Sequence, residues 1–161
     1  MIAVITGTPG TGKSTVAKAL RKKLGKKWLL VNDREFCKKR KIGSIDKKTG
    51  ELVVSVKKLE SALMKEIPKH SNLILEGHLF CEVKLPASLV IVLHSGTKVL
   101  EERLRKKKYS ELKVLDNVFC EITGYCKSKV LENFKKSRIL ELGNDKGFKE
   151  NSAKILKEIK N

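Results

Sequence analysis

Apolar residues gather in five short runs along the chain and are spaced three or four apart between them. The runs IAVIT at 2–6, WLLV at 28–31, LILE at 73–76, LVIVL at 89–93 and RILEL at 138–142 read as strands. Between them, Val16, Leu20 and Leu24 repeat every four residues, as do Leu59, Leu63 and Ile67, so each set forms a stripe facing a core. Residues 97–107 also read as helix. Leu115, Val118, Phe119, Ile122 and Cys126 mark one face of a longer helix, and Ile155, Leu156 and Ile159 mark a C-terminal one. Strands alternating with helices predict an α/β fold: a mostly parallel sheet of about five strands, covered by helices on both faces. No internal repeat or low-complexity linker interrupts the succession.

Length and composition bound this picture. A chain of 161 residues suits one domain, large enough to remove roughly 70% of its unfolded surface from water. No apolar run approaches a membrane span, so no membrane partner is expected. The first aliphatic run leads straight into a glycine-rich turn and does not read as a signal peptide. The expectation is a cytoplasmic protein, nuclear if eukaryotic. Cys37, Cys81, Cys120 and Cys126 form no C-x-x-C pair and no zinc-like ladder, which points to reduced thiols.

Charge widens the functional question. Lys and Arg number 36 against 18 Asp and Glu, a formal +18, in clusters such as RKK, CKKRK and RKKK. A polyanionic partner fits that excess. So does a solvated lysine-rich surface, because the cations are dispersed and one Trp, two Tyr and five Phe leave few platforms for base stacking.

The first run is followed by GTPGTGKST, which satisfies G-x-x-x-x-G-K-[ST] with Gly7, Gly12, Lys13 and Ser14, between a predicted strand and a predicted helix. Glycines at 7, 10 and 12 let several N–H groups turn toward one phosphate, and the helix that follows adds its positive end. Pro9 and Thr11 complete this ATP-binding loop. Lys13 is the candidate for the outer phosphates, Ser14 for Mg²⁺ and Thr15 for the inner phosphate. LILEGH then ends a strand on Glu76, where an acid helps hold Mg²⁺ or its waters, and places His78 two residues on, to orient a water or an acceptor or simply to fill the loop.

These residues, together with VLEERLRKKKYSELKVLDNVFCEI, resemble adenylate kinase isoenzyme 6, a family of small archaeal and eukaryotic kinases and ATPases that also assist assembly of the small ribosomal subunit. The resemblance runs from Ile2 to about Phe134. It implies one nucleoside monophosphate kinase-like P-loop domain over 1–161, a three-layer sandwich. It also implies an acceptor-binding flap at about 33–56 and a short lid at about 105–116. The flap is polar and basic, and Arg34, Lys38 and Arg40 are its candidates for the phosphate of AMP. Asp33 corresponds to the family's acid after strand two and meets ribose, a base or a water. Arg103, Arg105 and Lys107, with Lys106 and Lys108, are the candidate lid cations toward ATP, or a solvated helix end. Where the family often has Arg-Gly before the lid Tyr, Lys107 and Lys108 precede Tyr109. Lysine lacks the flat two-pronged grip of a guanidinium.

The activity implied is ATP + AMP → 2 ADP with broad monophosphate specificity, alongside ATP hydrolysis and a role in maturation of 16S or 18S rRNA. A small-subunit platform ribosomal protein is the implied partner, with rRNA or a pre-ribosome as further ones. The alternatives are an ATP-switched assembly factor with little kinase activity and a basic RNA-binding module. The intact Lys13-Ser14 pair argues against the last.

Overall fold

The computed structural model describes residues 1–47 and 50–160. Its order is β1 (Ile2–Thr6), α1 (Lys13–Leu24), β2 (Leu29–Asn32), α2 (Asp33–Lys39), β3 (Ser44–Ile45), β4 (Leu52–Val53), α3 (Val56–Glu66), β5 (Leu73–Glu76), β6 (Leu89–His94), α4 (Thr97–Lys106), α5 (Glu111–Ile122), α6 (Tyr125–Asn133), β7 (Arg138–Gly143) and α7 (Phe148–Lys160). Five strands form one parallel sheet in the order β2-β5-β1-β6-β7. This is the three-layer P-loop kinase architecture the sequence predicts.

Strand geometry divides the aliphatic runs between two cores, because successive side chains point to opposite faces. Ala3, Ile5, Ile74, Leu89, Ile91 and Leu93 face one side, where they meet Val16, Ala17 and Leu20 of α1 and Ile155 of α7. Val4, Leu73, Leu75, Val90 and Val92 face the other, against Leu59 and Leu63 of α3 and Cys126 and Val130 of α6. Burial on both faces explains why the runs are continuous rather than alternating.

Three features depart from the sequence reading. Trp28 precedes β2 and packs with the α1 cluster rather than starting the strand. Residues 44–45 and 52–53 form a small antiparallel pair in the flap. The long helix expected through Cys126 is two helices, broken at Gly124, whose φ of 63° is left-handed and ends the first. The apolar face is only partly covered: Cys126 is buried, whereas Phe119 is 66% exposed and Ile122 67%, and Leu115 is exposed too. The helix α5 packs instead through Val114, with Val118 beside it, against Leu100 and Leu104 of α4. Among the described residues, no helix is long and apolar enough to cross a membrane.

Candidate active site

The carboxyl ends of β1, β2 and β5, with Glu51 and Leu52 of the flap and residues between Lys107 and Cys126, surround a cleft of about 430 Å³. The loop after β1 carries the phosphate-binding sequence. Gly7, at φ 137°, passes so close to β6 that a Cβ there would lie 2.2 Å from the Leu93 carbonyl oxygen. Only glycine permits that approach. Lys13 is buried and donates from Nζ to the carbonyls of Gly7 and Thr8, both at 2.9 Å. Burial lowers its pKa, and the acids Asp33 and Glu76 partly restore it.

Glu76 ends β5 and is buried. Its Oε1 accepts from the Ser14 hydroxyl at 3.0 Å and from Asn32 Nδ2 at 2.6 Å. Asn32 serves twice, since its Oδ1 also accepts from Glu35 N and caps α2. Among the described residues, no group of three His, Cys, Asp or Glu stands ready for a metal. The Ser14–Glu76 oxygen pair nevertheless fits Mg²⁺, which takes one or two protein oxygens and keeps waters or phosphates for the rest.

Asp33 is 2% exposed. It accepts from Leu79 N at 3.0 Å and from Arg34 N at 2.7 Å, and His78 Nδ1 faces its Oδ2 at 3.5 Å. Crowding by protein lowers the His78 pKa more than Asp33 raises it, and Lys13 and Arg34 lower it further. The surroundings therefore favour the neutral ring. Gly77 lies between these groups, with Asp33 pressed against it where a Cβ would be.

A family model described as an AAA domain matches residues 4–124. A "Putative adenylate kinase" of Pyrococcus furiosus is 45% identical over 122 residues, a match that takes in 76% of this chain and 64% of that protein. Proteins of the same name in Thermococcus kodakarensis and Methanocaldococcus jannaschii are 37% and 36% identical, over 71% and 75% of their lengths and 82% of this chain. The chain belongs to the adenylate kinase-like P-loop family. In fold it is similar to a shikimate kinase from Acinetobacter baumannii in complex with shikimate, at TM-score 0.67 and 20% identity over 98% of this chain and 92% of that one. It is also similar to a deoxyadenosine kinase from M. mycoides with bound dATP, at TM-score 0.64 and 18% identity over the whole of both chains.

Against this family background, the cleft gathers Pro9, Gly10, Gly12, Lys13, Ser14, Thr15, Asp33, Arg34, Glu76, His78 and Lys107 of the residues singled out from the sequence. Thr11 lies buried behind it, donating to the Thr8 carbonyl at 2.9 Å. Four cations stand elsewhere. Arg40 pairs with Glu66, stacks over Phe36 and lines a second, shallower depression with Lys57 and Lys65. Lys38 is exposed on α2 and does not line the cleft. Arg103 holds Ser95 Oγ at 3.0 Å and the Asn144 carbonyl at 2.8 Å, tying α4 to the loop after β7. Arg105 is exposed between Glu101 and Glu111. Among the flap residues 33–56, Lys48 and Thr49 lie outside the described residues. At the expected lid, a turn at 107–110 joins α4 to α5, which Ser110 caps through Lys113 N.

The sequence reading missed Asn32, Thr8 and Glu121. Asn32 had a signal, as a capping residue at a strand end, before an acidic first turn. Single polar residues such as Thr8 and Glu121 carry no pattern that separates them from surface.

Proposed function

We propose that the protein transfers the γ-phosphoryl group of ATP to a nucleoside monophosphate, AMP first among them, as a kinase of the isoenzyme 6 type. The observation that carries the reading is one cleft that gathers the P-loop, the Ser14–Glu76 oxygen pair, the Asp33–His78 pair and Lys107. In this reading Gly7 to Thr15 bind the donor phosphates through backbone N–H groups and the start of α1. Lys13 turns from its two carbonyls to the β- and γ-phosphates, where its charge offsets what accumulates on the moving group. Ser14 and Glu76 hold Mg²⁺, which when bound neutralises phosphate charge. Arg34 is the flap cation on the cleft and is proposed to take the acceptor phosphate, with Lys107 closing from the lid side. Lys38, Arg40, Arg103 and Arg105 would have to move to join them.

A second reading, ATP hydrolysis, has its own support. A phosphate acceptor arrives already charged, whereas water needs a group to orient it and draw its proton. A neutral His78 backed by Asp33 supplies such a group. We propose hydrolysis as a side activity and, with the excess of 36 cations over 18 anions, action on maturing small ribosomal subunits beside a platform protein and rRNA.

One assay separates these readings. The protein is incubated with Mg-ATP, with and without AMP, and ADP and free phosphate are followed separately. ADP that rises with AMP and without free phosphate supports the kinase. Phosphate release indifferent to AMP supports the hydrolytic switch. Either activity falls by about 10²–10³-fold in Lys13→Ala; an activity that survives this change belongs to another site or another protein.

A further inference from the structure

Glu121 is a carboxylate without a part in the chemistry above, yet its side chain is only 8% exposed. It sits on α5 and reaches back to the phosphate-binding loop, where the Thr8 hydroxyl donates to its Oε2 at 2.5 Å. Ser95 N donates to Oε1 at 2.8 Å, and His94 Nδ1 stands 3.4 Å from the same oxygen. Burial pushes a carboxyl toward its neutral form, but the bonds from His94, Thr8 and Ser95 outweigh it and hold Glu121 below the ordinary range. A charged acceptor is thus fixed against the one P-loop side chain that points at it.

Asn144 Nδ2 also holds the loop from outside, donating to the Thr11 carbonyl at 2.7 Å; the brackets around Thr8 itself are otherwise internal. The Thr8 carbonyl accepts from Lys13 Nζ at 2.9 Å and from Thr11 Oγ1 at 2.9 Å, and Gly7 O accepts from Lys13 as well. When phosphates draw the Lys13 ammonium away, the loop loses two of these restraints at the moment its N–H groups must stay aimed. The bond from Thr8 to Glu121 does not involve Lys13 and survives the exchange. The other end of α5 carries Lys113, whose Nζ meets Glu51 of the flap at 2.6 Å. One helix therefore touches the donor loop at its end and the acceptor flap near its start.

We infer that Glu121 is a positioning residue for the donor site: it holds Thr8 from outside the loop while Lys13 changes partners, and ties the loop to α5. The inference rests on the P-loop's binding ATP, as proposed above. Because it acts through Thr8, its effect and that of the Thr8 hydroxyl are one effect. Glu121→Leu keeps much of the bulk but offers no polar atom, so Thr8 and Ser95 both lose their acceptor.

The test is a double-mutant cycle on the full chain, read as ATP affinity by titration calorimetry, with far-UV circular dichroism to establish folding. Thr8→Val and Glu121→Leu each weaken ATP binding by about tenfold, the scale of a lost hydrogen bond to a charged group. The double variant is weakened by about the same tenfold rather than a hundredfold. Thr8→Ser, which keeps the hydroxyl, restores the affinity that Thr8→Val loses. Multiplying penalties, or wild-type affinity in folded Glu121→Leu, would overturn the inference alone. A folded wild type that binds no ATP would overturn the P-loop reading and this inference with it.

Discussion

Replacing Gly77 by alanine tests whether the Asp33–His78 pair is locked by packing. The added Cβ would stand 2.0 Å from Asp33 Cγ, 2.1 Å from Oδ2 and 2.5 Å from Oδ1, where carbon contacts need about 3.5 Å. Neither side yields easily. Gly77 N is hydrogen-bonded to Ile5 O of β1 at 3.1 Å, and Asp33 is held by Leu79 N and Arg34 N at 3.0 and 2.7 Å. Overpacking costs about 1–3 kcal/mol. A carboxylate forced off its backbone donor costs about 1.5–3 kcal/mol more. The contact therefore costs roughly 3–5 kcal/mol, beside the strain of a side chain at φ 156°, out of the 5–15 typical of a domain. The chain's single Trp, Trp28, is buried and reports unfolding by fluorescence. With a urea slope of about 1–3 kcal/mol/M, the midpoint falls by about 1–5 M. In an Asp33→Ala background the contact is gone and only the strain of a side chain at φ 156° remains, about 1–3 kcal/mol, so Gly77→Ala costs clearly less than in the wild type. The same penalty in both backgrounds, or less than about 0.5 kcal/mol in the wild type, refutes the packing argument.

The pKa of His94 is raised above its ordinary 6.5, first by its hydrogen bond to Glu121 and then by the charges of Glu121 and Glu141, against burial and Lys127. A raised folded pKa gives stability that is fully present below about 6.5 and is lost as pH rises through the folded value. The melting-temperature gap between wild type and His94→Gln is therefore widest near about pH 6 and closes by about pH 9; a constant gap sinks the assignment. On α5, Phe119→Ser leaves the unfolding free energy within about 0.5 kcal/mol, because the ring is 66% exposed. Leu104→Ala, in the buried seam beneath the same helix, costs about 2–5 kcal/mol by urea titration. Equal losses would place Phe119 in a core.

The sheet was legible because burial on both faces leaves a continuous aliphatic signature, and the P-loop because its chemistry needs fixed residues at fixed spacing. The environment of the stripe on α5 was not legible, for a physical reason. Periodicity shows that a helix has an apolar face and does not show that the protein covers it, and Leu115, Phe119 and Ile122 turn that face outward. The placing of the cations was not legible for another reason. Arg40 and Arg105 are engaged by Glu66 and by Glu101 and Glu111, and such pairings depend on which helices neighbour each other. Glu121 lay within the stretch that carries the family resemblance, but its partner Thr8 is 113 positions away. No local pattern contains that contact.

The hydrophobic pattern and the site are linked more tightly than separate readings of strand and motif suggest. In the parallel register, Asn32 of β2 stands opposite Glu76 of β5, and Glu76 opposite Ile5 of β1. Leu73 and Leu75 face the α3 and α6 side, so Ile74 and then Glu76 face α1. That side holds Ser14, in the first turn of α1, within 3.0 Å of the carboxylate. A slip of β5 by one residue would send Leu75 toward α1 and Glu76 to the opposite face, breaking the Ser14–Glu76 pair and stranding Asn32. The aliphatic residues that exclude water from the sheet thereby also set where the acid emerges. Swapping Ile74 or Leu75 for another aliphatic leaves that outcome unchanged, whereas inserting one residue in β5 abolishes it, because the site depends on the parity of the strand as much as on the identity of Glu76.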